Sequence, residues 1–159
     1  MKLNIKDIAI LNKKTFFTNS PLATSCIGKK FAKKLVIGDI VLLIGDLGTG
    51  KTTFTKGIVS LFNNEHNIVK SPSFVIVNEY KCKKKYKNIN IFHIDLYRLS
   101  VLDIYNIGIE DYIYNNNISI IEWPNKFLNY FLTGYHYWYI DFKNIEFSNK
   151  REINIISKI

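Results

Sequence analysis

The chain has 159 residues, a formal net charge of +9, 47% hydrophobic residues and two cysteines. That length predicts a single domain over residues 1–159, and the hydrophobic share excludes a wholly disordered chain. No apolar run approaches the ~18 residues of a membrane-spanning helix, so no membrane role is expected.

The opening MKLNIKDIAILNKK has charges inside any would-be apolar stretch and does not read as a secretory signal. Cys26 and Cys82 lie far apart in no metal-ligand spacing. Together these predict a reducing, cytoplasmic setting, with no disulfide framework and no zinc. Of the 22 basic residues only Arg98 and Arg151 are arginine. Lys, Asn and Ile all have A/T-rich codons, so the charge reads as coding bias rather than as a nucleic-acid footprint. Arginine, the residue best suited to phosphate recognition, is scarce.

Residues 1–18 offer at most an edge strand or two. Ser20-Pro21 reads as an N-cap with proline at the first helical position. Leu22, Cys26, Ile27, Phe31 and Leu35 then recur at near-helical spacing, which predicts an amphipathic helix over 21–36 with Cys26 in the core, ended by Gly38. Ile40–Ile44 is a continuous apolar run, as in a parallel strand covered on both faces. A second helix is predicted from Lys51 to about Phe62, with Phe54, Ile58, Leu61 and Phe62 on one face. Residues 73–80 and 88–95 read as two strands around the lysine-rich segment 81–87, in a hairpin. A short helix over 99–107 ends at Gly108. Ile118–Glu122 reads as another buried strand, and 123–131 as a helix with Pro124 near its start. Residues 135–142 and 152–156 alternate like a closing hairpin. This order predicts an α/β fold resembling P-loop NTPases, with a mostly parallel sheet, flanking helices and an antiparallel supplement.

The sharpest motif is Gly45-Asp46-Leu47-Gly48-Thr49-Gly50-Lys51-Thr52, which fits G-x-x-x-x-G-K-[ST]. Glycines let successive backbone N–H groups turn toward phosphate oxygens, and the following helix adds its N-terminal partial charge. Lys51 suits the β- and γ-phosphates and the Thr52 hydroxyl suits Mg²⁺. The loop sits between a buried-type strand and an amphipathic helix, the context the motif requires.

Two carboxylates end apolar strands. Asp95 closes Ile89–Ile94 and Glu122 closes Ile118–Ile121. Acids at the carboxyl ends of parallel strands stand where α/β proteins bind ligands. One can bind Mg²⁺ while the other orients the attacking water; the sequence leaves open which does which. Asn125-Lys126 is followed by Phe127-Leu128, not by x-Asp, so the guanine motif is incomplete and ATP is favoured over GTP.

These residues resemble the TsaE (YjeE) family, small bacterial P-loop ATPases of tRNA threonylcarbamoyladenosine biosynthesis. Four blocks match in order: GDLGTGKTT over 45–53, SPSF over 71–74 with Glu79-Tyr80, HIDLYRL over 93–99, and IEW over 121–123. Weaker echoes are Thr24, Gly38-Asp39 and GIEDY over 108–112. The resemblance implies that Gly45, Asp46, Leu47, Gly48, Thr49, Gly50, Lys51, Thr52 and Thr53 bind nucleotide phosphates. It implies that Thr52 ligates Mg²⁺, and that Ser73 lies in a loop that senses the γ-phosphate. Asp95 would be the metal-linked acid, Glu122 the catalytic acid and Trp123 a neighbour of the nucleotide. Thr49 stands where alanine is usual and Ser73 where threonine is. The implied role is ATP hydrolysis that resets a partner complex of TsaB- and TsaD-type subunits, with tRNA engaged indirectly.

Other residues have plainer readings. His93 shares a strand face with Asp95 and reads as a packed, hydrogen-bonded histidine, with catalysis as the alternative. Arg98 fits a charge stabiliser at the γ-phosphate, a salt bridge or a partner contact. Segment 81–87 reads as a solvated loop rather than an RNA contact, and 135–139 (YHYWY) as a sheet face rather than a base-stacking platform. A small-molecule or nucleotide kinase is the alternative enzyme, although it would need a lid with clustered arginines. A nucleic-acid-binding module with a degenerate P-loop is the remaining rival, and the intact Gly50-Lys51-Thr52 opposes it.

Overall fold

The computed structural model describes residues 13–63, 69–72, 75–83, 86, 89–113, 117–127 and 137–157. In chain order these form β1 (Lys13–Thr18), α1 (Pro21–Ala32), β2 (Ile40–Ile44), α2 (Lys51–Phe62), β3 (Val77–Lys81) and β4 (Asn90–Asp95). There follow α3 (Val101–Asn106), α4 (Glu110–Ile113), β5 (Ile118–Glu122), a 3-10 turn (Pro124–Phe127), β6 (Tyr137–Asn144) and β7 (Arg151–Ser157). The strands make one sheet in the order β1-β7-β6-β2-β5-β4-β3. Its middle strands, β6, β2, β5 and β4, are parallel, while β3, β7 and β1 join antiparallel. The fold is therefore α/β, with the parallel part central and antiparallel hairpins at both edges.

β2 shows how the sheet builds two cores. Side chains alternate across a strand, and all five β2 residues are buried. Val41 and Leu43 face a cluster with Phe31, Phe54 and Ile58 of α1 and α2. Ile40, Leu42 and Ile44 face a second cluster with Ile104, Ile109 and Ile113 of the α3–α4 region. Tyr137 and Tyr139 join this second cluster and Trp138 packs on the first, so the described aromatics of the YHYWY segment serve the sheet faces.

The capping signal of α1 holds. Ser20 Oγ accepts from Ala23 N, with Pro21 opening α1. Ser100 and Asp103 form a reciprocal capping box at α3. Three expectations change. First, α1 ends at Ala32 rather than 36, because the Asp39 carboxylate accepts from Val36 N at 2.9 Å and turns the chain. Second, Cys26 is exposed. The buried stripe is Thr24, Gly28, Phe31 and Ala32, set by a close crossing of α1 on α2. A Cβ on Gly28 would overlap Phe54 O, and one on Gly57 would overlap Ser25 O, so only glycine fits at either place. Third, only the turn Pro124–Phe127 forms at the start of the expected helix over 123–131; residues 128–131 lie outside the described residues.

Candidate functional site

Five residues, Gly45–Thr49, link β2 to α2's N-cap Gly50. Gly48 (φ 76°) and Gly50 (φ 104°) hold left-handed backbone that an L side chain would strain. At Gly45 (φ 139°) a Cβ would come within 2.5 Å of Phe142 O. No side chain caps α2 and no acid stands in its first turn. The first N–H groups of a helix have no partner within the helix. Here they open onto a cleft of about 200 Å³.

The cleft is lined by Leu47, Gly48 and Gly50–Thr53 of the loop and α2, by Ser71, by Asp95 and Tyr97 at the end of β4, and by Glu122 and Trp123 at the end of β5. Asp95 and Glu122 are register partners on adjacent parallel strands, so the two acids stand side by side. Both are buried, as is Lys51 at 4% exposure. Lys51 Nζ donates to Gly45 O at 2.7 Å and to Asp46 O at 2.8 Å, and lies 4.1 Å from the Trp123 ring centroid. Burial pushes its pKa down, against the charges of Glu122, Asp95 and Asp46, which hold it up. Thr49 does not line the cleft; its Oγ1 donates to Asp46 O at 2.8 Å, which accommodates a hydroxyl there.

Glu122 is the hub. Its Oε1 accepts from Thr52 Oγ1 at 2.9 Å and pairs with His93 Nε2 at 2.8 Å. A carboxylate only accepts, so Nε2 donates in this pair; the other ring nitrogen is Nδ1. That Nδ1 is buried and has no hydrogen-bond partner among the described residues. His93 is therefore packed and hydrogen-bonded, and its partner is a candidate catalytic residue. Asp95 Oδ1 accepts from Tyr97 N at 2.9 Å.

Thr52 with two adjacent carboxylates is a set of hard oxygen donors, which suits Mg²⁺ better than a softer metal. Among the described residues no cluster of three or more His, Cys, Asp or Glu could hold an ion by itself.

Ser73 lies outside the described residues, as does Phe74; of that block Ser71 lines the cleft and Pro72 O accepts from Ile76 N. Arg98 is exposed. Of segment 81–87, residues 84, 85 and 87 lie outside the described residues. Sequence reasoning missed Tyr97, whose ring lies 4.8 Å from that of Trp123. Its signal was an aromatic residue two positions past a strand-ending acid. Among the described residues no helix is long and apolar enough to cross a membrane.

The model of the family "Threonylcarbamoyl adenosine biosynthesis protein TsaE" matches residues 18–153. The "tRNA threonylcarbamoyladenosine biosynthesis protein TsaE" of Rickettsia conorii is 40% identical over 116 residues, 72% of this chain and 63% of its own length. The protein of that name from Rickettsia prowazekii is also 40% identical, over 72% of this chain and 76% of its own. Its counterpart from Bacillus subtilis is 35% identical, over 68% and 65%. The crystal structure of Bacillus subtilis YdiB superposes with a TM-score of 0.66 at 25% identity, covering 93% of this chain and 87% of that one. With a family model spanning most of the chain and relatives this similar, the chain belongs to the TsaE family.

Proposed function

We propose that this protein is an Mg²⁺-dependent P-loop ATPase, confined to one domain and working in tRNA threonylcarbamoyladenosine biosynthesis in the cytoplasm. The observation that carries this is the convergence of Lys51, Thr52, Asp95 and Glu122 on one cleft at an uncapped helix N-terminus. The amides of the loop and of α2 receive the phosphates, and Lys51 exchanges its two carbonyl partners for phosphate oxygens. Thr52 and one carboxylate hold Mg²⁺, which when bound neutralises charge on the β- and γ-phosphates.

In hydrolysis a water oxygen bonds to the γ-phosphorus as the bond to the β–γ bridging oxygen breaks, giving ADP and phosphate. Glu122 orients that water and accepts its proton, with His93 holding the carboxylate in place. Asp95 serves the metal. Hydrolysis resets a complex with TsaB- and TsaD-type subunits, which act on tRNA; contact with tRNA is through them. The kinase reading gains no support. Arg98 follows β4 and Arg151 opens β7, and β6, β2 and β5 lie between those strands, so the chain's two arginines form no cluster.

The test is ATP hydrolysis by wild type, Glu122→Gln and Asp95→Asn, alone and with candidate partner subunits, over a Mg²⁺ titration. Glu122→Gln is expected to bind ATP but turn over ~10²-fold more slowly, in the range of a lost general base. Asp95→Asn is expected to need more Mg²⁺. Wild-type rates in both variants would overturn the reading.

A further inference from the structure

Two buried polar atoms close to Glu122 have no part in the scheme above. Among the described residues, the Tyr80 hydroxyl and His93 Nδ1 are the only buried side-chain nitrogen or oxygen atoms without a hydrogen-bond partner. Tyr80 is 6% exposed and His93 fully buried. Buried polar groups are nearly always hydrogen-bonded, and one left unpaired carries its whole desolvation penalty.

The sheet puts both on one face. Asn78 on β3 is the register partner of His93 on β4, and Tyr80 is that of Ile91, so alternation keeps Tyr80 and His93 together. β5 continues this face, with Ile120 opposite His93 and Glu122 opposite Asp95. The Tyr80 and His93 ring centroids lie 6.4 Å apart. Their chemistry is complementary. With Nε2 donating to Glu122, Nδ1 is left for the acceptor role of a neutral imidazole. Burial pushes the Tyr80 pKa up, against Asn78 and the Lys70 backbone, and the Glu122 charge adds to the rise, so the phenol keeps its proton. The Asn78 amide itself donates to Lys70 O at 3.1 Å. An unpaired donor thus stands beside an unpaired acceptor.

We infer that Tyr80 is a positioning residue for hydrolysis: its hydroxyl donates to His93 Nδ1, directly or across one water, and so holds Nε2–H against Glu122. The hydrogen bond at one ring nitrogen sets which form the other presents. Without it the imidazole can carry its proton on Nδ1 or turn its ring, and either releases the carboxylate. This inference rests on the ATPase reading above, in which Glu122 orients the attacking water.

Tyr80→Phe keeps the ring and removes only the oxygen. Side-chain nitrogen NMR of isotope-labelled protein reads His93, one of three histidines, assigned by its loss in His93→Gln. At about pH 8 an ordinary histidine is neutral, so the spectrum reports the tautomer. Wild type is expected to show Nε2 protonated and Nδ1 as a hydrogen-bonded acceptor. In Tyr80→Phe the Nδ1 signal should move to that of a free acceptor and the Nδ1–H form should appear. kcat should fall about tenfold, the size of one hydrogen bond, with calorimetric Mg·ATP affinity unchanged. A residue that only packs would shift the melting temperature and leave the tautomer and kcat alone. Nδ1 protonated in wild type, which needs no variant to read, would overturn the inference. So would an unchanged His93 spectrum or an unchanged kcat in Tyr80→Phe. The two readings fail separately. Wild type that hydrolyses no ATP, with or without partner subunits, refutes the ATPase reading and this one with it. An active wild type whose His93 spectrum ignores Tyr80→Phe refutes this one alone.

Discussion

Replacing Gly57 with alanine tests the helix crossing that aims α2 at the cleft. A Cβ there would overlap Ser25 O and lie 2.8 Å from Ser25 C and 2.9 Å from Lys29 N. All three are backbone atoms of α1, so no side chain can rotate aside. Restoring contacts of about 3.5 Å requires α1 and α2 to part by roughly 1.5 Å. Overpacking of this kind costs ~1–3 kcal/mol and sometimes more. Alanine's helix propensity returns about 1 kcal/mol. With an immovable obstacle the larger cost applies, and a net loss of about 2–3 kcal/mol is expected. For a chain of this size that lowers Tm by about 5–10 °C. Gly38→Ala is the control: φ is +91° and nothing lies within 4 Å of its Cβ position, so only left-handed strain acts there. That strain costs ~1–2 kcal/mol. Differential scanning calorimetry reads both. A Gly57→Ala protein that melts at or above the wild-type temperature would refute the close crossing.

Lys51 gives a pH prediction. Burial lowers its pKa below 10.5, so the folded protein gives up this proton at lower pH than the unfolded chain does. The stability cost of the buried ammonium is full below the lowered pKa and is relieved as pH rises from there to 10.5. Phosphate needs the ammonium, so calorimetric Mg·ATP affinity should fall over that alkaline window in wild type and hold in Lys51→Arg; a flat wild-type profile would count against a phosphate-binding Lys51. Burial pushes the Cys82 thiol up to about 11, whereas Cys26 is exposed. An aromatic disulfide reagent at about pH 8 should therefore titrate Cys26 alone in the native protein and both thiols in denaturant, since the thiolate is the reactive form; two fast native thiols would contradict the burial of Cys82.

Local signals carried much of the fold. The Ile40–Ile44 run, the glycine loop and the Phe54/Ile58/Phe62 stripe each depend on neighbours within one element, and all three sit as their patterns require. The sequence also shows that β4 and β5 each end in an acid. It does not show that β5 inserts between β2 and β4, which makes Asp95 and Glu122 neighbours. Alternation places His93 on the face of Asp95, but its bond to Glu122 depends on that same strand order. Hydrophobicity alone misplaces the buried face of α1, because closeness of approach to α2 decides it. Gly28 and Gly57 carry no apolar side chain, yet they set which side of α1 turns inward.

Trp123 shows how one strained residue joins two parts of the site. It follows Glu122 with φ 59°, left-handed backbone that an aromatic residue seldom adopts, at a cost of ~1–3 kcal/mol. Its N–H still donates to Leu43 O at 3.2 Å, so the sheet hydrogen bonding to β2 runs one residue past β5. The left-handed turn ends the strand where its carboxylate meets Thr52. The ring then lies over Lys51 and beside Tyr97. A cation held over an indole face in a desolvated site contributes ~2 kcal/mol, comparable to the strain. Strand end, carboxylate and ring thus act as one device. Glu122 ties β5 to α2 through Thr52, and Trp123 covers the lysine of the same helix turn, so a shift of β5 would move both contacts together.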